Sequence, residues 1–345
     1  MPGSRGPGRT VRVVEAVRET ADAVSLVLDP GAAGLAYRPG QFLTVRIPGG
    51  GARCYSLASS PHTGEPPRIT VKRVPGGVGS AWICERVAVG DELEVLPPAG
   101  VFGPADLDRD LLLVAGGSGI TPVLSVAKSA LAAGRARVAL LYANRDEPAV
   151  IFRDELRELA EDYPARFTLI HWLESLQGLP TADALAAPVA PYAARDAYLC
   201  GPVPLMDAAE AAVRATGGRT VHRERYFSLA DDVFAAPRPV AAGPVVADPV
   251  GRTPGYTAAV VLDGTVYEVP GGRETPLLDA LLAAGVDAPY SCREGACAAC
   301  TCRIVSGEAK LLRNEVLTDA DLAEGYTLAC QAVPLGDRFE VTYDA

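Results

Sequence analysis

The feature that most constrains this 345-residue chain is a cluster of cysteines near its C-terminal end. Five of the eight cysteines lie between Cys292 and Cys330, and four of them follow the spacing C-x4-C-x2-C with one remote cysteine: Cys292, Cys297, Cys300 and Cys330. This spacing is typical of a plant-type 2Fe-2S cluster, in which four thiolates hold two irons. Zinc ribbons use paired C-x2-C motifs, which the four-residue gap and the single remote cysteine do not match. The spacing therefore predicts a 2Fe-2S metal site with these four ligands.

The residues around the cysteines support a tight binding loop. Gly295 and the neighbouring alanines let the backbone wrap closely, so that N–H groups can point at the sulfurs. Cys302 is expected to be a packed bystander, and Cys54 and Cys84 to be small buried side chains. A helix is predicted before the loop, with Thr275 as N-cap, Pro276 at its first position and Gly285 at its end.

Hydrophobic patterns divide the chain into four regions. Residues 11–105 contain short alternating segments separated by Pro and Gly, which predicts an antiparallel β-barrel domain with a short helix near Gly79–Val87. Residues 106–229 alternate continuous apolar strands with helices, including Val123–Ala133 and Ile151–Asp162, which predicts an α/β domain with a parallel sheet. Residues 230–256 are rich in Pro and Ala and predict a linker. Residues 257–345 predict a small α+β domain.

The barrel region carries three pieces that suit a flavin nucleotide. Arg53 can neutralise a pyrophosphate, Tyr55 offers a flat face to an isoalloxazine ring, and Ser56 offers it a hydroxyl. The segment containing Val71 and Lys72 follows, and then a glycine-rich turn whose helix N-terminus can bind phosphate. The residues that we predict to bind FAD are Arg53, Tyr55, Ser56, Val71, Lys72, Gly79 and Ser80. Taken alone, the Arg-x-Tyr-Ser segment could equally be an ordinary strand; the order of the three pieces favours the flavin.

The α/β region carries two pieces that suit a nicotinamide nucleotide. The strand Leu111–Ala115 leads into Gly116–Pro122, where glycines allow close backbone approach and a helix start attracts phosphate. Cys200 and Gly201 end the last apolar strand, where ligands of open parallel sheets bind. The residues that we predict to bind the nucleotide here are Gly117, Gly119, Thr121, Pro122, Cys200 and Gly201. Alternatively, Gly116–Pro122 is simply a tight strand-to-helix turn and Cys200 is packed in the core, with no role in nucleotide binding.

The loop after the next strand bears on the choice between NADH and NADPH. Asp146 or its neighbour Glu147 could accept hydrogen bonds from ribose hydroxyls, which would favour NADH. Arg145 could instead hold a 2′-phosphate, which would favour NADPH. The acidic pair inclines the prediction toward NADH, while a solvated loop of mixed charge is the alternative.

Composition excludes other classes of function. The formal net charge is −10, which argues against nucleic-acid and anionic-membrane partners. The first ten residues lack the apolar run of a signal peptide, and no segment has the length of a membrane span. We therefore expect a cytoplasmic protein, and we also expect it to be a monomer.

With these motifs in hand, the chain resembles the ferredoxin–NADP reductase superfamily. Arg53-x-Tyr55-Ser56, Gly116–Pro122 and Cys200-Gly201-Pro202 occur in that family's order, followed by a ferredoxin domain. The likeness is closest to oxygenase reductase components, in particular those of 3-ketosteroid 9α-hydroxylases, and next to phenylacetyl-CoA epoxidase reductases. The segments that carry this closer likeness are Tyr142–Glu147, His171–Ser175, Glu224–Tyr226 and Asp321–Gln331. The resemblance covers nearly all of residues 11–345 except the linker, and implies a β-grasp fold for the ferredoxin domain.

The resemblance also implies roles. Arg53, Tyr55 and Ser56 would hold FAD with Ser80 at its pyrophosphate, and Thr121 and Cys200 would line the nicotinamide pocket. Glu224 would lie close to the flavin, and Tyr226 would cover it where the nearest relatives usually have Phe. The residues expected at the reacting centre are Tyr55, Ser56, Cys200, Glu224 and Tyr226.

Together these features predict an NAD(P)H-dependent reductase that passes electrons through FAD and a 2Fe-2S cluster to a partner oxygenase, with a Rieske-type hydroxylase favoured. Nicotinamide delivers two electrons at once and the cluster accepts one at a time, so a flavin is needed between them. Two alternatives stay open: a reductase serving a P450 or a di-iron oxygenase, and a redox-sensing iron–sulfur protein. The flavin and nicotinamide motifs weigh against the sensor, because a sensor needs no hydride donor.

Overall fold

The structure is a computed structural model that describes residues 8–49, 51–218, 220–224, 228–229, 233–234, 255–317 and 319–344. Two compact units divide the chain. The first consists of Arg9–Pro98 and Phe102–Ser228, and the second contains Leu229–Ala345. Within the described residues, no helix is both long and apolar enough to cross a membrane.

The N-terminal part of the first unit is an antiparallel sheet. Its strands are β1 (Arg9–Thr20), β2 (Ala23–Asp29), β3 (Phe42–Arg46), β4 (Ala52–Ser56), β5 (Arg68–Lys72) and β6 (Glu92–Val95), and helix α1 (Val78–Arg86) lies between the last two. The strand order is β4-β3-β6-β1-β2-β5, with the two-residue strand Ser228–Leu229 beside β4. Alternate apolar side chains such as Val11, Val13, Leu26 and Leu28 fill its interior, so the antiparallel prediction is confirmed.

The rest of the first unit is a parallel sheet with helices on both faces. Its strands are β7 (Leu111–Gly116), β8 (Val138–Asn144), β9 (Phe167–Leu173), β10 (Asp196–Cys200) and β11 (Val221–Glu224), in the order β11-β10-β7-β8-β9. Its helices are α2 (Ile120–Ala133), α3 (Arg153–Asp162), α4 (Glu174–Gln177), α5 (Ala182–Val189) and α6 (Val203–Ala215). Successive residues of β7 enter opposite cores, Leu111 and Leu113 on one face and Leu112 and Val114 on the other.

Two helices of this domain begin elsewhere than predicted. Helix α2 begins at Ile120 instead of Val123, because the preceding turn leads straight into it and Pro122 is tolerated in a first helical turn. Helix α3 begins at Arg153 instead of Ile151, because Phe152 has a left-handed backbone with φ of 61°.

The second unit contains a five-stranded mixed sheet. Ser228–Leu229 is counted as β12. The described strands of the second unit that follow it are β13 (Tyr256–Leu262), β14 (Thr265–Gly271), β15 (Thr301–Ser306), β16 (Ala309–Leu311), β17 (Tyr326–Leu328), β18 (Ala332–Pro334) and β19 (Arg338–Thr342). The sheet order is β14-β13-β19-β15-β17, and β16 pairs with β18. Helices α7 (Leu277–Ala283) and α8 (Asp319–Ala323) complete the unit.

Helix α7 has an apolar face and a different N-cap from the one predicted. Leu277, Leu278 and Leu281 are buried in the unit's core. The N-cap is Pro276 with extended backbone, and not Thr275, so the helix begins one residue later than predicted. Gly285 ends it as predicted, with φ of 76° and with the Val286 N–H donating to the Leu281 carbonyl. Most of the predicted linker 230–256 lies outside the described residues, and Tyr256 already belongs to β13.

Candidate functional site

The first unit contains a cavity of about 370 Å³ where the predicted flavin motif meets the predicted nicotinamide turn. Three separate segments of the barrel domain line it, and Ser118 and Thr121 close it from the α/β domain. The predicted site residues that line this cavity are Arg53, Tyr55, Ser56, Val71, Lys72, Gly79, Ser80 and Thr121. The fold therefore brings together residues that lie far apart in sequence.

One end of the cavity is a cradle that suits a phosphate. Helix α1 begins there, its N-cap Gly77 makes no side-chain capping bond, and its first turn has no acidic residue. A Cβ on Gly79 would lie 2.9 Å from Cγ of Arg53, so a larger residue would occupy the space beside the guanidinium stem. A helix N-terminus with an adjacent Arg attracts an anion, and this end of the cavity therefore fits the pyrophosphate of FAD.

Ser80 shapes this cradle through its side chain. Its hydroxyl Oγ accepts a hydrogen bond from the Val74 N–H at 3.0 Å and donates to the Gly77 carbonyl at 3.3 Å. These bonds hold the glycine turn against the start of α1. Ser80 thus organises the backbone of the predicted phosphate site through its hydroxyl.

Tyr55 presents a phenol that stays protonated. Burial raises its pKa well above the ordinary value for tyrosine, and the nearby Arg53 only partly offsets that effect. A neutral phenol on a strand facing the cavity can stack on a planar ring and donate one hydrogen bond. This arrangement fits the isoalloxazine ring that Tyr55 is predicted to contact.

The predicted nicotinamide turn is packed against the end of a neighbouring strand. A Cβ on Gly119 would overlap the carbonyl oxygen of Cys200, and a Cβ on Gly201 would lie 2.9 Å from the nitrogen of Gly116. Gly117 has φ of 51°, and its carbonyl accepts a hydrogen bond from the Tyr142 hydroxyl at 3.0 Å. Glycine is required here because backbone meets backbone. Pro122 is buried in the helix that follows.

Strand register places Cys200 beside Glu224. In the parallel sheet, Cys200 pairs with Ala115 of β7 on one side and with Glu224 of β11 on the other. Cys200 is buried and Glu224 is half-buried, both at the carboxyl ends of their strands. Strand β11 has no clear alternation in the sequence, and its position was not predicted. Tyr226 lies outside the described residues.

The residues proposed to choose between NADH and NADPH are engaged within the protein. Arg145 is exposed and its guanidinium lies 3.7 Å from the carboxylate of Asp22, which also lies 3.8 Å from Nζ of Lys72. The Asp146 carboxylate accepts a hydrogen bond from the Ala149 N–H at 3.0 Å and so caps a short helical turn. The role of Asp22 as a shared counter-ion was missed from sequence, since nothing local marks it.

Polar contacts fix α2 against the barrel domain. Nζ of Lys128 lies 2.6 Å from the carboxylate of Glu65 and 2.7 Å from that of Glu155, and Arg68 contacts Glu155 at 2.7 Å. Close by, Ser129 hydrogen-bonds Ser60 through their hydroxyls at 2.8 Å. Because the first turn of α2 contributes Thr121 to the cavity, these contacts orient the nicotinamide side of the site toward the flavin side.

In the second unit, the four predicted cluster ligands are buried and form two pairs. The thiol of Cys292 contacts that of Cys297, and the thiol of Cys300 contacts that of Cys330. Two cysteines for each of two metal ions is the ligand arrangement of a 2Fe-2S cluster. The residues therefore fit the group that their spacing predicts.

The backbone around the pairs is arranged for thiolate sulfur. The N–H groups of Glu294 and Ala296 donate to Sγ of Cys292 at 3.3 and 3.4 Å. The hydrogen bond with the Cys297 thiol, together with these N–H groups, lowers the pKa of Cys292 to about 6, although burial opposes the shift. The thiol of Cys300 likewise lowers the pKa of Cys330. Metal ligation needs thiolates. These contacts favour one thiolate in each pair, because the hydrogen bond to the paired thiol, together with burial, raises the pKa of Cys297 and of Cys300.

Cys302 occupies the core and contacts none of the backbone donors described for the ligands. Burial raises its pKa to about 12, which keeps it a neutral thiol. This agrees with its predicted role as a packed side chain.

Three protein-family descriptions match successive parts of this chain. An oxidoreductase FAD-binding domain matches residues 10–103, an oxidoreductase NAD-binding domain matches residues 113–211, and a 2Fe-2S iron–sulfur cluster binding domain matches residues 260–335. The predicted fold classes and the predicted FAD, nicotinamide and 2Fe-2S cofactors are thereby confirmed.

Curated relatives match over nearly their whole length. The ferredoxin reductase component of 3-ketosteroid-9-alpha-monooxygenase from Rhodococcus rhodochrous is 49% identical over 99% of this chain and 98% of its own. The component of the same name from Mycolicibacterium smegmatis is 50% identical over 97% and 96%. A component of 1,2-phenylacetyl-CoA epoxidase from Escherichia coli is 34% identical over 97% of each chain.

Solved structures match this chain over nearly its whole length. Phthalate dioxygenase reductase, a modular structure for electron transfer from pyridine nucleotides to a 2Fe-2S cluster, matches with a TM-score of 0.57 and 26% identity, over 97% of this chain and 98% of its own. An intact type IV self-sufficient cytochrome P450 monooxygenase matches with a TM-score of 0.66 and 27% identity. This chain spans 41% of that longer protein and is matched over 97% of its own length.

Proposed function

This chain belongs to the family of oxidoreductases that combine FAD-binding, NAD-binding and 2Fe-2S domains, and we propose that it is the reductase component of a 3-ketosteroid 9α-hydroxylase. The observation that carries this proposal is 49% identity to the Rhodococcus rhodochrous component over 98% of that protein. The epoxidase component, at 34% identity over a similar extent, is more distant. The proposed acceptor is accordingly a Rieske-type oxygenase acting on a steroid.

The chain's own residues have complementary tasks in this scheme. Bound FAD supplies the change from two-electron to one-electron chemistry, and bound nicotinamide supplies the electrons. The α1 N-terminus and Arg53 would hold the flavin's pyrophosphate, and Tyr55 and Ser56 its ring. The Gly117–Thr121 turn and Cys200 would position the nicotinamide on the other side of the cavity. The four cysteines would hold the cluster.

We further propose NADH as the physiological donor. Arg145, the residue that could hold a 2′-phosphate, already lies 3.7 Å from Asp22, and that carboxylate would repel a phosphate. The neighbouring Asp146 and Glu147 are acidic and exposed, which suits ribose hydroxyls better than a second anion. We also propose that the protein is cytoplasmic and monomeric; its formal net charge of −10 argues against binding to anionic membranes.

The first test is an anaerobic titration of the cofactor-loaded protein with NADH and, separately, with NADPH. We expect NADH to bleach the flavin absorbance and to produce the EPR signal of a reduced 2Fe-2S cluster at lower concentration than NADPH. If the flavin bleaches while the cluster stays oxidised, electrons do not pass from FAD to the cluster. That result would overturn the proposed reductase and favour a redox-sensing iron–sulfur protein.

The second test identifies the partner. The protein would be combined with the oxygenase component of a 3-ketosteroid 9α-hydroxylase, a 3-ketosteroid and NADH, and the 9α-hydroxylated product would be measured against NADH consumed. A matched reaction would use the oxygenase component of phenylacetyl-CoA epoxidase with its substrate. Coupled turnover with the steroid system supports the proposal, whereas coupling only with the epoxidase system would replace it.

A further inference from the structure

Gln331 directly follows the fourth cysteine of the cluster motif, and its side chain lies inside the binding loop. The residue is buried, with 9% of its surface exposed. Its amide Nε2 donates to the carbonyl of Arg293 at 2.8 Å and to Sγ of Cys330 at 3.7 Å. A primary amide has two N–H groups, so both contacts can exist together. The side chain therefore connects the loop between the first two cysteines to the remote cysteine.

The surroundings leave this side chain little freedom. The Gln331 backbone N–H donates to the Leu328 carbonyl at 2.8 Å, and its carbonyl accepts from the Leu312 N–H at 3.0 Å. Its Cγ packs on Gly295, where an added Cβ would lie 2.9 Å away. Gly295 has φ of 71°, so the loop bends tightly around the amide. The N–H directed at Cys330 is thus held in place from three sides.

The chemistry of the sulfur gives this contact a consequence. One-electron reduction of a 2Fe-2S cluster adds negative charge, part of which resides on the ligating sulfurs. An N–H dipole directed at such a sulfur stabilises the reduced state more than the oxidised state, and burial strengthens the effect. Backbone N–H groups do this at Cys292 and Cys300, but Gln331 does it with a side chain, which is open to substitution.

We propose that Gln331 is a positioning residue that raises the reduction potential of the cluster by donating a hydrogen bond to the Cys330 sulfur. The inference rests on the proposed assignment of the four cysteines as 2Fe-2S ligands. It goes beyond that assignment, because it names a side chain outside the motif that sets how readily the cluster accepts an electron. Proteins that carry another residue at this position would have a less oxidising cluster in the same loop.

The test is an EPR-monitored redox titration of the intact, cofactor-loaded protein and of two variants. Gln331→Met keeps the length and most of the volume while removing both donors, and Gln331→Glu keeps the shape while replacing the amide by a carboxylate. At the wild-type midpoint we expect the ratio of reduced to oxidised cluster in Gln331→Met to be roughly threefold lower, equivalent to about 28 mV at 59 mV per tenfold change for one electron. We expect a larger shift of the same sign in Gln331→Glu.

Asn314→Asp provides a matched control for the added charge. Asn314 is a side-chain amide in the same unit that donates to the Leu317 carbonyl at 2.8 Å, with no cysteine among its described hydrogen-bond partners. We expect its cluster potential to stay at the wild-type value. If the cluster potential shifts equally in Asn314→Asp and Gln331→Glu, the shift comes from the added negative charge and not from the lost hydrogen bond. That result would overturn the proposal.

The remaining outcomes are equally decisive. An unchanged potential in Gln331→Met, with full iron content, overturns the proposal. If Gln331→Met loses the cluster, the proposal is decided by comparing the cluster potential of the isosteric Gln331→Glu with that of its charge control, Asn314→Asp. The flavin potential, measured by absorbance in the same samples, should be unchanged throughout. Failure of the cluster assignment itself would be distinguishable, because the wild-type protein would then hold no iron and give no reduced-cluster signal.

Discussion

The cluster loop and the flavin cavity of this protein are built by opposite means. The proposed ligands of the loop are side chains, and three of its four cysteines lie within one short segment, Cys292–Cys300. The cavity uses backbone turns, a helix start and single side chains from segments as distant as Arg53 and Thr121. Ligation can therefore be read from spacing, whereas a non-covalent nucleotide site depends on how the segments pack.

The two regions also differ in their backbones. In the cluster loop, Arg293 and Ala298 have left-handed φ values of 57° and 56° although neither is glycine. Left-handed backbone costs non-glycine residues about 1 kcal/mol or more each, and such strain collects at functional sites. Around the cavity, the left-handed positions Gly76 and Gly117 are glycines. The loop thus carries more backbone strain than the turns around the cavity.

The largest effect should come from removing a ligand. We expect Cys330→Ala to abolish the 2Fe-2S absorbance and EPR signal, because the second cysteine pair loses one thiolate. NADH should still bleach the flavin, since that cavity lies in the other unit. Visible absorbance during anaerobic titration checks both points. Cys302→Ala is the control and should keep the cluster, because Cys302 is a neutral core thiol. Loss of flavin reduction in Cys330→Ala would show that the two regions are not independent.

A comparably selective effect is expected on the cavity side. Gly119→Val would force a side chain into the carbonyl of Cys200, which displaces the turn proposed to hold the nicotinamide. A displacement of about 1 Å lowers a rate on the order of 100-fold. Stopped-flow absorbance would measure flavin reduction by NADH, while dithionite should still reduce flavin and cluster. Leu176→Ala, at an exposed position of the same domain, is the control. Near-normal reduction by NADH in Gly119→Val would refute the steric argument.

A smaller effect should follow from loosening α2. Lys128→Met removes the cation between Glu65 and Glu155, and breaking a buried ion pair costs about 3 kcal/mol, less where the partners are partly exposed. We expect a loss of about 2 kcal/mol in the free energy of unfolding of the first unit, measured by urea titration. The exposed Lys310→Met should change it by less than about 0.5 kcal/mol. Equal losses in both variants would contradict the role of the network.

The smallest expected effect is a pH dependence of this same contact. Burial would raise the pKa of Glu65, but hydrogen bonds from Lys128 and from the Ser60 N–H outweigh it and hold the pKa below the ordinary value. A lowered folded pKa stabilises the protein above the unfolded pKa, and that contribution disappears as the pH falls through the folded pKa. The stability difference between wild type and Lys128→Met should therefore shrink below about pH 4. Urea titrations of both proteins at pH 7 and pH 3.5 measure this difference in the free energy of unfolding. A difference of the same size at both pH values would contradict the prediction.

Much of the fold followed from local patterns. Alternating apolar residues marked the barrel strands, and continuous apolar runs marked β7 and β8, because burial on one or two faces leaves those patterns in the chain. Element ends were less accurate. Phe152 starts α3 from a left-handed backbone, and Pro276 replaces Thr275 as the N-cap of α7. Such details depend on packing against neighbours, which local preferences do not contain.

The candidate site divides in the same way. Cys292, Cys297, Cys300 and Cys330 could be named from spacing, and Arg53, Tyr55 and Thr121 from motif order. Asp22 and Gln331 could not, because a counter-ion for Arg145 and a donor to Cys330 exist only where distant segments meet. Strand β11, which places Glu224 beside Cys200, was missed for lack of alternation.

The amino-acid sequence by itself determined the chemistry proposed for this protein: a cysteine set with 2Fe-2S spacing, a glycine turn in each nucleotide motif, and their order along the chain. These are properties of single short segments, in which residue type and spacing are sufficient. Only the tertiary structure decided how Gly119 meets Cys200, how Lys128 joins Glu65 to Glu155, and how the Gln331 amide reaches a sulfur. Those contacts arise between segments far apart in the chain, and their distances follow from the packing of whole domains.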